Sequence, residues 1–99
     1  MVKHIVLWQL QEKAENRDKG ENAALIKEGL EGLVGQIPGL LSAEVGVALA
    51  DEGYDLCLYS TFEDADALSL YQNHPAHDKV RQYVRKVTCR RASVDYVSP

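Results

Sequence analysis

Three side chains with acid–base chemistry lie within one short segment of the chain, residues 71–77. Two of the three histidines, His74 and His77, are in this segment, and Tyr71 lies six positions before the second of them. An imidazole ordinarily has a pKa near neutrality, and such a group suits proton abstraction next to a carbonyl. A segment of this composition can form the wall of an active site, or it can be a bend held by buried hydrogen bonds.

The same segment predicts a corner between two helices. Because proline crowds the residue before it out of the α region, a helix that runs up to Asn73 should end there. Pro75 suits the first turn of a following helix, where its missing N–H would have no intrahelical partner. We therefore expect Tyr71 and His77 to come from two different helices, with His74 between them in an exposed or capping position.

The composition indicates an ordinary globular domain that spans 1–99. Its residues are 45% apolar and 26% charged, which is usual for such a domain. No apolar run approaches the roughly 18–20 residues that span a bilayer. The chain passes from Met1 directly into a strand pattern without the apolar core of a signal peptide. The net charge of −4 argues against a general nucleic-acid binder. We expect a cytoplasmic protein that binds neither nucleic acid nor membrane.

Positive charge is concentrated near the C-terminus. Six of the eleven lysines and arginines fall within residues 79–91, namely Lys79, Arg81, Arg85, Lys86, Arg90 and Arg91. This basic cluster is either a solvated helix face or an anion site. The absence of a glycine-rich phosphate loop beside it favours the solvated face.

Neither the cysteines nor the histidines form a recognisable metal motif. Cys57 and Cys89 are isolated and lack CxxC spacing, so we interpret both as buried free thiols. His74 and His77 are three residues apart across a proline, which does not give secure ligand geometry, and no second carboxylate is obvious. We expect no metal site.

Hydrophobic periodicity predicts four strands and two helical segments. Apolar residues alternate or run continuously over 4–10, 41–49, 54–62 and 88–97, which is typical of strands. They recur every three or four positions over 20–36, 65–73 and 80–87, which is typical of helices. Residues 11–19 are polar and predict a loop. Gly29, Gly32 and Gly35 are unusual inside the first helix and indicate close packing against the sheet or a frayed C-terminal end.

The order of these elements is the βαββαβ pattern of a ferredoxin-like α+β sandwich with a four-stranded antiparallel sheet. Right-handed crossovers place both helical segments on one face of the sheet, the face of His4. The other face would expose Ile5, Leu7 and the apolar side of the second strand, which carries Leu41, Ala43, Val45, Val47 and Leu49. An apolar patch of that size usually marks an interface. We therefore expect a homodimer in which two sheets pack face to face and close a barrel.

Several segments resemble one known family. They are, in chain order, VKHIVLW (2–8), IPGL (37–40), YD (54–55) leading to STF (60–62), YQNHPAH (71–77) and VDY (94–96). Together they are similar to the stress-responsive dimeric α/β-barrel (Dabb) family, and the resemblance covers essentially the whole chain. Its most specific part is the HPxH sequence at the corner. The resemblance implies a ferredoxin-like fold and a dimer, and it does not imply one activity.

One branch of that family, the plant olivetolic acid cyclases, is enzymatic. These enzymes close a linear polyketide by an aldol-type reaction without a redox cofactor, in a pocket between sheet and helices. The resemblance implies that His77 is the base and Tyr71 its partner. It also implies that His4 and Asp95 belong to the pocket.

Two polar pocket positions depart from that branch, because Leu56 and Leu30 stand where it has a histidine and a tyrosine. These leucines make the predicted pocket more apolar and poorer in acid–base groups. The related cyclases can also hold a cation on backbone carbonyls, and the matching carbonyls here are those of Val34, Ile37 and Leu40.

These observations and the resemblance lead to two alternative functions, one a binding function and the other enzymatic. The first is a homodimeric domain of unassigned activity that binds a small apolar or phenolic molecule between sheet and helices, with no cofactor. Its binding residues would be His4, Val6, Trp8, Leu30, Leu56 and Asp95. The alternative is a cofactor-independent enzyme, a polyketide-cyclase-like protein or a lyase, in which His77 and Tyr71 form the acid–base pair.

Overall fold

Nine elements follow one another along the chain, and the computed structural model describes all 99 residues. They are β1 (Val2–Leu10), β2 (Lys13–Ala14), β3 (Arg17–Asp18), α1 (Lys19–Glu31), β4 (Leu40–Val47), β5 (Leu56–Phe62), α2 (Ala65–Gln72), α3 (Pro75–Val87) and β6 (Thr88–Val97). The predicted loop at 11–19 is wrong in detail, because β2 and β3 form a small hairpin there. Glu15 and Asn16 make its tight turn at positive φ.

Four of the strands form one antiparallel sheet in the order β4-β5-β1-β6. The long strand β1 is central and pairs with both β5 and β6, so that Val6 lies opposite Leu58 on one side and Ser93 on the other. This strand order and the helices after β3 and β5 confirm the predicted βαββαβ arrangement.

The core lies between one face of the sheet and the three helices. On β1 it takes Val6 and Trp8, on β5 Leu58, and on α3 Val84 and Val87, all of them buried. Burial along β1 alternates at every position, which is the pattern of a strand with one fully covered face. That face carries His4, and the helices cover it as predicted.

The predicted orientation of the second strand is wrong. Val45 lies opposite Leu58, on the helix-covered face, and only 1% of its side chain is exposed. The pairing with β5 also slips between Leu40 and Ser42, which takes Leu41 out of the alternation that the sequence suggested. The opposite face of the sheet, which we name the open face, instead carries Ile5, Leu7, Cys57, Tyr59, Ala92, Val94 and Tyr96.

Helix α1 is shorter than predicted. Asp18 and Glu21 form a capping box at its start, and Gly32 caps its end, so the helix ends at Glu31 and not near residue 36. Gly29 packs against α3 rather than the sheet, because a Cβ there would lie 3.1 Å from Val80 Cγ1. Close approach of two helices therefore accounts for this glycine.

The corner between α2 and α3 forms as predicted. Asp64 caps the start of α2, and α2 ends at Gln72. His74 is the N-cap of α3, with its Nδ1 accepting a hydrogen bond from the Ala76 N–H at 3.0 Å, and Pro75 is the first helical residue. The capping role expected for His74 is confirmed.

The exposure of the two cysteines differs from the prediction. The thiols are less buried than expected: Cys57 is half-buried on the open face, and Cys89 is exposed where the pairing of β1 with β6 shifts. Neither takes part in a disulfide.

None of the three helices is both long enough and apolar enough to cross a membrane.

Candidate functional site

A cavity of about 360 Å³ lies between the sheet and helix α3. Its floor is apolar and buried, formed by Val6, Trp8, Leu30, Leu58 and Val84. The apolar floor follows from the fold, because these side chains all belong to the core cluster. A concave apolar site of this size suits a small organic molecule.

The polar part of the cavity comes mainly from α3 and the start of β6. His77, Arg81 and Arg85 are spaced four residues apart on α3, so they lie along one face of that helix. Thr88 and Arg91 of β6 continue the wall, and Gln72 closes it at the end of α2. None of the lining residues is acidic.

The predicted site residues divide into two groups. His4, Val6, Trp8, Leu30 and His77 line the cavity. The other three, Tyr71, Leu56 and Asp95, do not. Leu56 is buried opposite Trp8 in the core, and Leu58, which the sequence interpretation did not select, takes part in the floor.

Tyr71 lies behind His77 in a cluster of aromatic rings. The two ring centroids are 4.1 Å apart and the planes are inclined by 33°. Phe62 meets Tyr71 edge-on at 4.9 Å, and the His4 ring lies 6.2 Å from Tyr71. Burial raises the pKa of Tyr71 to about 12, so the phenol stays protonated across the ordinary pH range.

His77 is held in its neutral form. Burial lowers its pKa to about 4, and the positive charge of Arg81 and the proximity of His4 act in the same direction. The Nδ1 atom of His77 is buried and has no hydrogen-bond partner. The Gln72 backbone and the charge of Asp78 oppose this lowering of the pKa without cancelling it. At neutral pH the ring is therefore an uncharged imidazole, and it is a much weaker base than a free histidine.

His4 is paired with Asp95 across the strands β1 and β6. The Nδ1 atom of His4 hydrogen-bonds an oxygen of Asp95, and the two residues are directly opposite in the β1–β6 register. An ionised carboxylate can only accept a hydrogen bond, so the bond places a proton on Nδ1 of His4. Asp95 thus orients His4, which lines the cavity, without lining the cavity itself.

The basic cluster at 79–91 divides between two environments. Arg81, Arg85 and Arg91 line the cavity, whereas Lys79, Lys86 and Arg90 do not. Arg85 and Arg91 are exposed, as the interpretation of a solvated face expects, but together with the half-buried Arg81 they also line the cavity. The signal that could have identified two of them is the regular spacing of His77, Arg81 and Arg85 along α3.

Residues that could hold a metal ion are not grouped in this structure. No three His, Cys, Asp or Glu side chains come together in a cluster of that kind. Of the three carbonyls implied as a cation site, that of Ile37 accepts a hydrogen bond from the Leu40 N–H at 3.3 Å. The implied cation site stays a prediction.

A second depression lies between α1 and α3. It has a volume of about 380 Å³ but is shallow and open, and its wall includes Arg17, Leu25, Gly29, Lys79 and Tyr83. It contains none of the predicted site residues. It is useful as an alternative location in any test of where a ligand binds.

Fold and site together define a class of protein: a ferredoxin-like domain with a cavity between its sheet and its C-terminal helix. The model of the stress responsive A/B barrel domain (Dabb) matches residues 2–98, and the chain belongs to this family. The family predicted from the sequence is thereby confirmed.

Similar proteins share the fold, and two of the three described next are called uncharacterised or of unknown function. An uncharacterised protein of Streptomyces coelicolor is 37% identical over 79 residues, which are 78% of this chain and 79% of that protein. A dimeric protein of unknown function from Bacteroides fragilis, described as having a ferredoxin-like fold, is 31% identical with a TM-score of 0.82, over 96% of this chain and 93% of the other. Protein At3g17210 of Arabidopsis thaliana is 24% identical with a TM-score of 0.85, over 100% and 96% of the two chains, and shows the fold alone.

Proposed function

We propose that the protein is a homodimeric binding domain that holds a small apolar or phenolic molecule between its sheet and helices. The observation that carries this proposal is the cavity of about 360 Å³ with a buried apolar floor and the neutral imidazole of His77 in its wall. Apolar surface binds the body of a ligand, and a few polar atoms fix its orientation.

His77 provides the polar contact in this proposal. The ring lines the cavity, and a hydrogen bond between it and a ligand contributes on the order of 0.5–1.5 kcal/mol. Because His77 is neutral at pH 7, its ring can accept a hydrogen bond from a phenol or donate one to a carbonyl. Binding at His77 therefore needs no change of protonation.

The electrostatics of the corner favour binding over acid–base catalysis. A base with a pKa of about 4 has little driving force to remove a proton at neutral pH. Tyr71 has its ring against His77 but does not line the cavity, so it supports the base without reaching a ligand. The binding function is for this reason the first proposal.

A cofactor-independent cyclase-like enzyme or lyase is the second proposal. The observation in its favour is the His4–Asp95 pair, in which a carboxylate orients an imidazole that lines the cavity. This arrangement is the one that general-base catalysis uses to fix a tautomer. In this proposal His4 takes part in proton transfer together with His77.

The homodimer is proposed on the composition of the open face. Ile5, Leu7, Tyr59, Val94 and Tyr96 form an apolar surface that the helices do not cover. A second copy packed sheet to sheet would bury it, and the related Bacteroides fragilis protein is described as dimeric.

A thermal-shift screen with small phenols and β-keto acids tests the binding function. A ligand that binds the folded state raises the melting temperature by mass action. We expect at least one compound to stabilise the wild type and to lose its effect in His77→Ala. The control is His74→Ala, which removes another imidazole three residues away that caps α3 and does not line the cavity.

Two results would count against this function. If no compound shifts the wild type and His77→Ala lowers the melting temperature markedly, His77 is a structural residue only. If a compound keeps its effect in His77→Ala, His77 is not its polar contact, and the rest of the cavity wall and the depression between α1 and α3 are the next locations to examine.

A further inference from the structure

Two arginines at the mouth of the cavity have no acidic partner. Arg85 comes from α3 and Arg91 from β6, and both are exposed residues that line the cavity. Neither forms an ion pair within the chain; the arginine that does is Arg81, with Asp78. Arg91 donates one hydrogen bond, to Ser93 Oγ at 3.2 Å, and that acceptor is neutral.

Arg81 adds a third guanidinium, deeper in the wall. It pairs with Asp78 and donates to the Gln72 carbonyl at 3.2 Å, which holds it in place. Its Nε atom is nevertheless buried and has no partner. The wall of the cavity therefore carries three guanidinium groups, and those of Arg85 and Arg91 at its mouth form no ion pair.

Nothing negative balances this charge inside the cavity. No acidic residue is among its lining. Of the nearby carboxylates, Asp78 is hydrogen-bonded to Arg81 and Gln82 and feels the charge of Arg85 without pairing with it, and Asp95 is bound to His4. The chain as a whole carries a net charge of −4, so this local positive charge runs against the overall composition.

We infer that the ligand of this cavity is an organic acid, whose carboxylate binds between Arg85 and Arg91 while its apolar part lies on the floor. The planar guanidinium group matches a carboxylate with two parallel hydrogen bonds, which adds geometric selectivity to the charge attraction. The floor of Val6, Trp8 and Leu58 requires an aromatic or aliphatic body. The inference rests on the proposed binding function and names the class of ligand.

Trp8 allows a direct test, because it is the only tryptophan of the chain and lies on the cavity floor. Its fluorescence is followed during titration with 3-phenylpropanoate and octanoate, and with the neutral amide of each. We expect the acids to bind at least about tenfold more tightly than the amides, since hydrogen bonds to charged groups contribute about twice as much as neutral ones. The preference should weaken as salt is raised, because the arginines at the mouth are exposed.

Single substitutions assign the preference to the arginines. We expect Arg85→Gln and Arg91→Gln each to reduce the preference for acid over amide several-fold. The matched control is Arg90→Gln, since Arg90 is the neighbour of Arg91 on β6 but lies opposite Gln9 on the open face, over the ring of Tyr54. Arg90→Gln should keep the full preference.

Each of the other outcomes contradicts one identifiable step of the inference. Amides that bind as tightly as acids overturn the organic-acid inference and leave the proposed binding function standing. An acid preference that survives in both Arg85→Gln and Arg91→Gln overturns the assignment to the arginines. If neither acids nor amides change the fluorescence of Trp8, the binding function fails and the inference fails with it.

Discussion

The imidazole of His77 lies against the ring of Tyr71, with the ring centroids 4.1 Å apart. Tyr71 belongs to α2 and His77 to α3, so this contact joins the helices on the two sides of the Pro75 corner. Only 2% of Tyr71 is exposed, whereas His77 reaches the cavity. Tyr71 is therefore the support of the site, and His77 is the side chain that a ligand can touch.

The titration of His77 is the first prediction. Because its folded pKa of about 4 lies below the ordinary value of 6.5, the unfolded chain binds the proton first as the pH falls. The stability that comes from the neutral ring is complete above pH 6.5 and is lost progressively down to about pH 4. We expect the wild type to lose on the order of 1–3 kcal/mol across that range from this group.

Urea unfolding at several pH values checks this prediction, with His77→Gln as the comparison. The variant has no imidazole at this position, so the difference between the two stability curves isolates the histidine. A wild-type ring that titrates near 6.5 by NMR, with parallel stability curves, would contradict the buried environment assigned to His77.

The supporting role of Tyr71 gives the second prediction. Tyr71→Ala removes a fully buried ring between Phe62 and His77 and should destabilise the protein by about 3–5 kcal/mol. Tyr71→Phe keeps the ring and should cost no more than about 1 kcal/mol. Equal losses of unfolding free energy in the two variants would mean that the hydroxyl, and not the packing of the ring, is the essential part.

A pair of glycines provides the third prediction. Gly39 and Gly35 both have positive φ, at 87° and 90°. A Cβ on Gly39 would lie 2.5 Å from the Cβ of Ala67 in α2, whereas one on Gly35 meets nothing within 4 Å. Gly35→Ala should cost about 1 kcal/mol of backbone strain, and Gly39→Ala a further 1–3 kcal/mol or so from overpacking.

Chemical denaturation of the two variants measures the difference. The comparison separates the cost of the steric clash from the cost of positive φ, because the two φ angles are alike. Two variants of equal stability would show that α2 moves away from Gly39 at little cost.

The corner could be predicted from the sequence because the rules for proline act locally. The effect of Pro75 on His74 depends on two adjacent residues and needs no knowledge of the fold. The same holds for the capping of α2 by Asp64 and for the order of strands and helices, which hydrophobic periodicity shows directly.

The faces of the sheet and the wall of the cavity could not be predicted in the same way. Alternation along the second strand shows that Val45 and Val47 lie on the same side of the strand. It does not show which of the two sides faces the helices. The pairing of Val45 with Leu58 decides that question. In the same way, Arg91 joins Arg85 at the cavity only because β6 pairs with β1 in the register that sets Arg91 opposite Trp8.

The open face gives the fourth prediction. Val94 is 54% exposed in the single chain and would be buried in a sheet-to-sheet dimer, so Val94→Lys should place an unpaired charge in the interface. We expect the wild type to have the mass of two chains of 11.0 kDa and the variant to have the mass of one. Leu70→Lys is the control, because Leu70 is 49% exposed on α2, away from the sheet.

Light scattering after gel filtration at micromolar concentration makes this measurement, with circular dichroism to show that both variants fold. If Val94→Lys is still a dimer, the interface lies on a surface other than the open face. If the wild type has the mass of one chain, the proposal of a homodimer is wrong.

The location of the bound ligand is the most direct test of the proposed function. The compound with the largest thermal shift is titrated into isotope-labelled protein, and the indole N–H of Trp8 and the ring of His77 are followed by NMR. We predict that both signals move together and saturate at the same ligand concentration. If instead Trp8 and His77 stay unchanged while Val80 and Tyr83 shift, the ligand occupies the depression between α1 and α3, and the cavity under α3 is not the binding site.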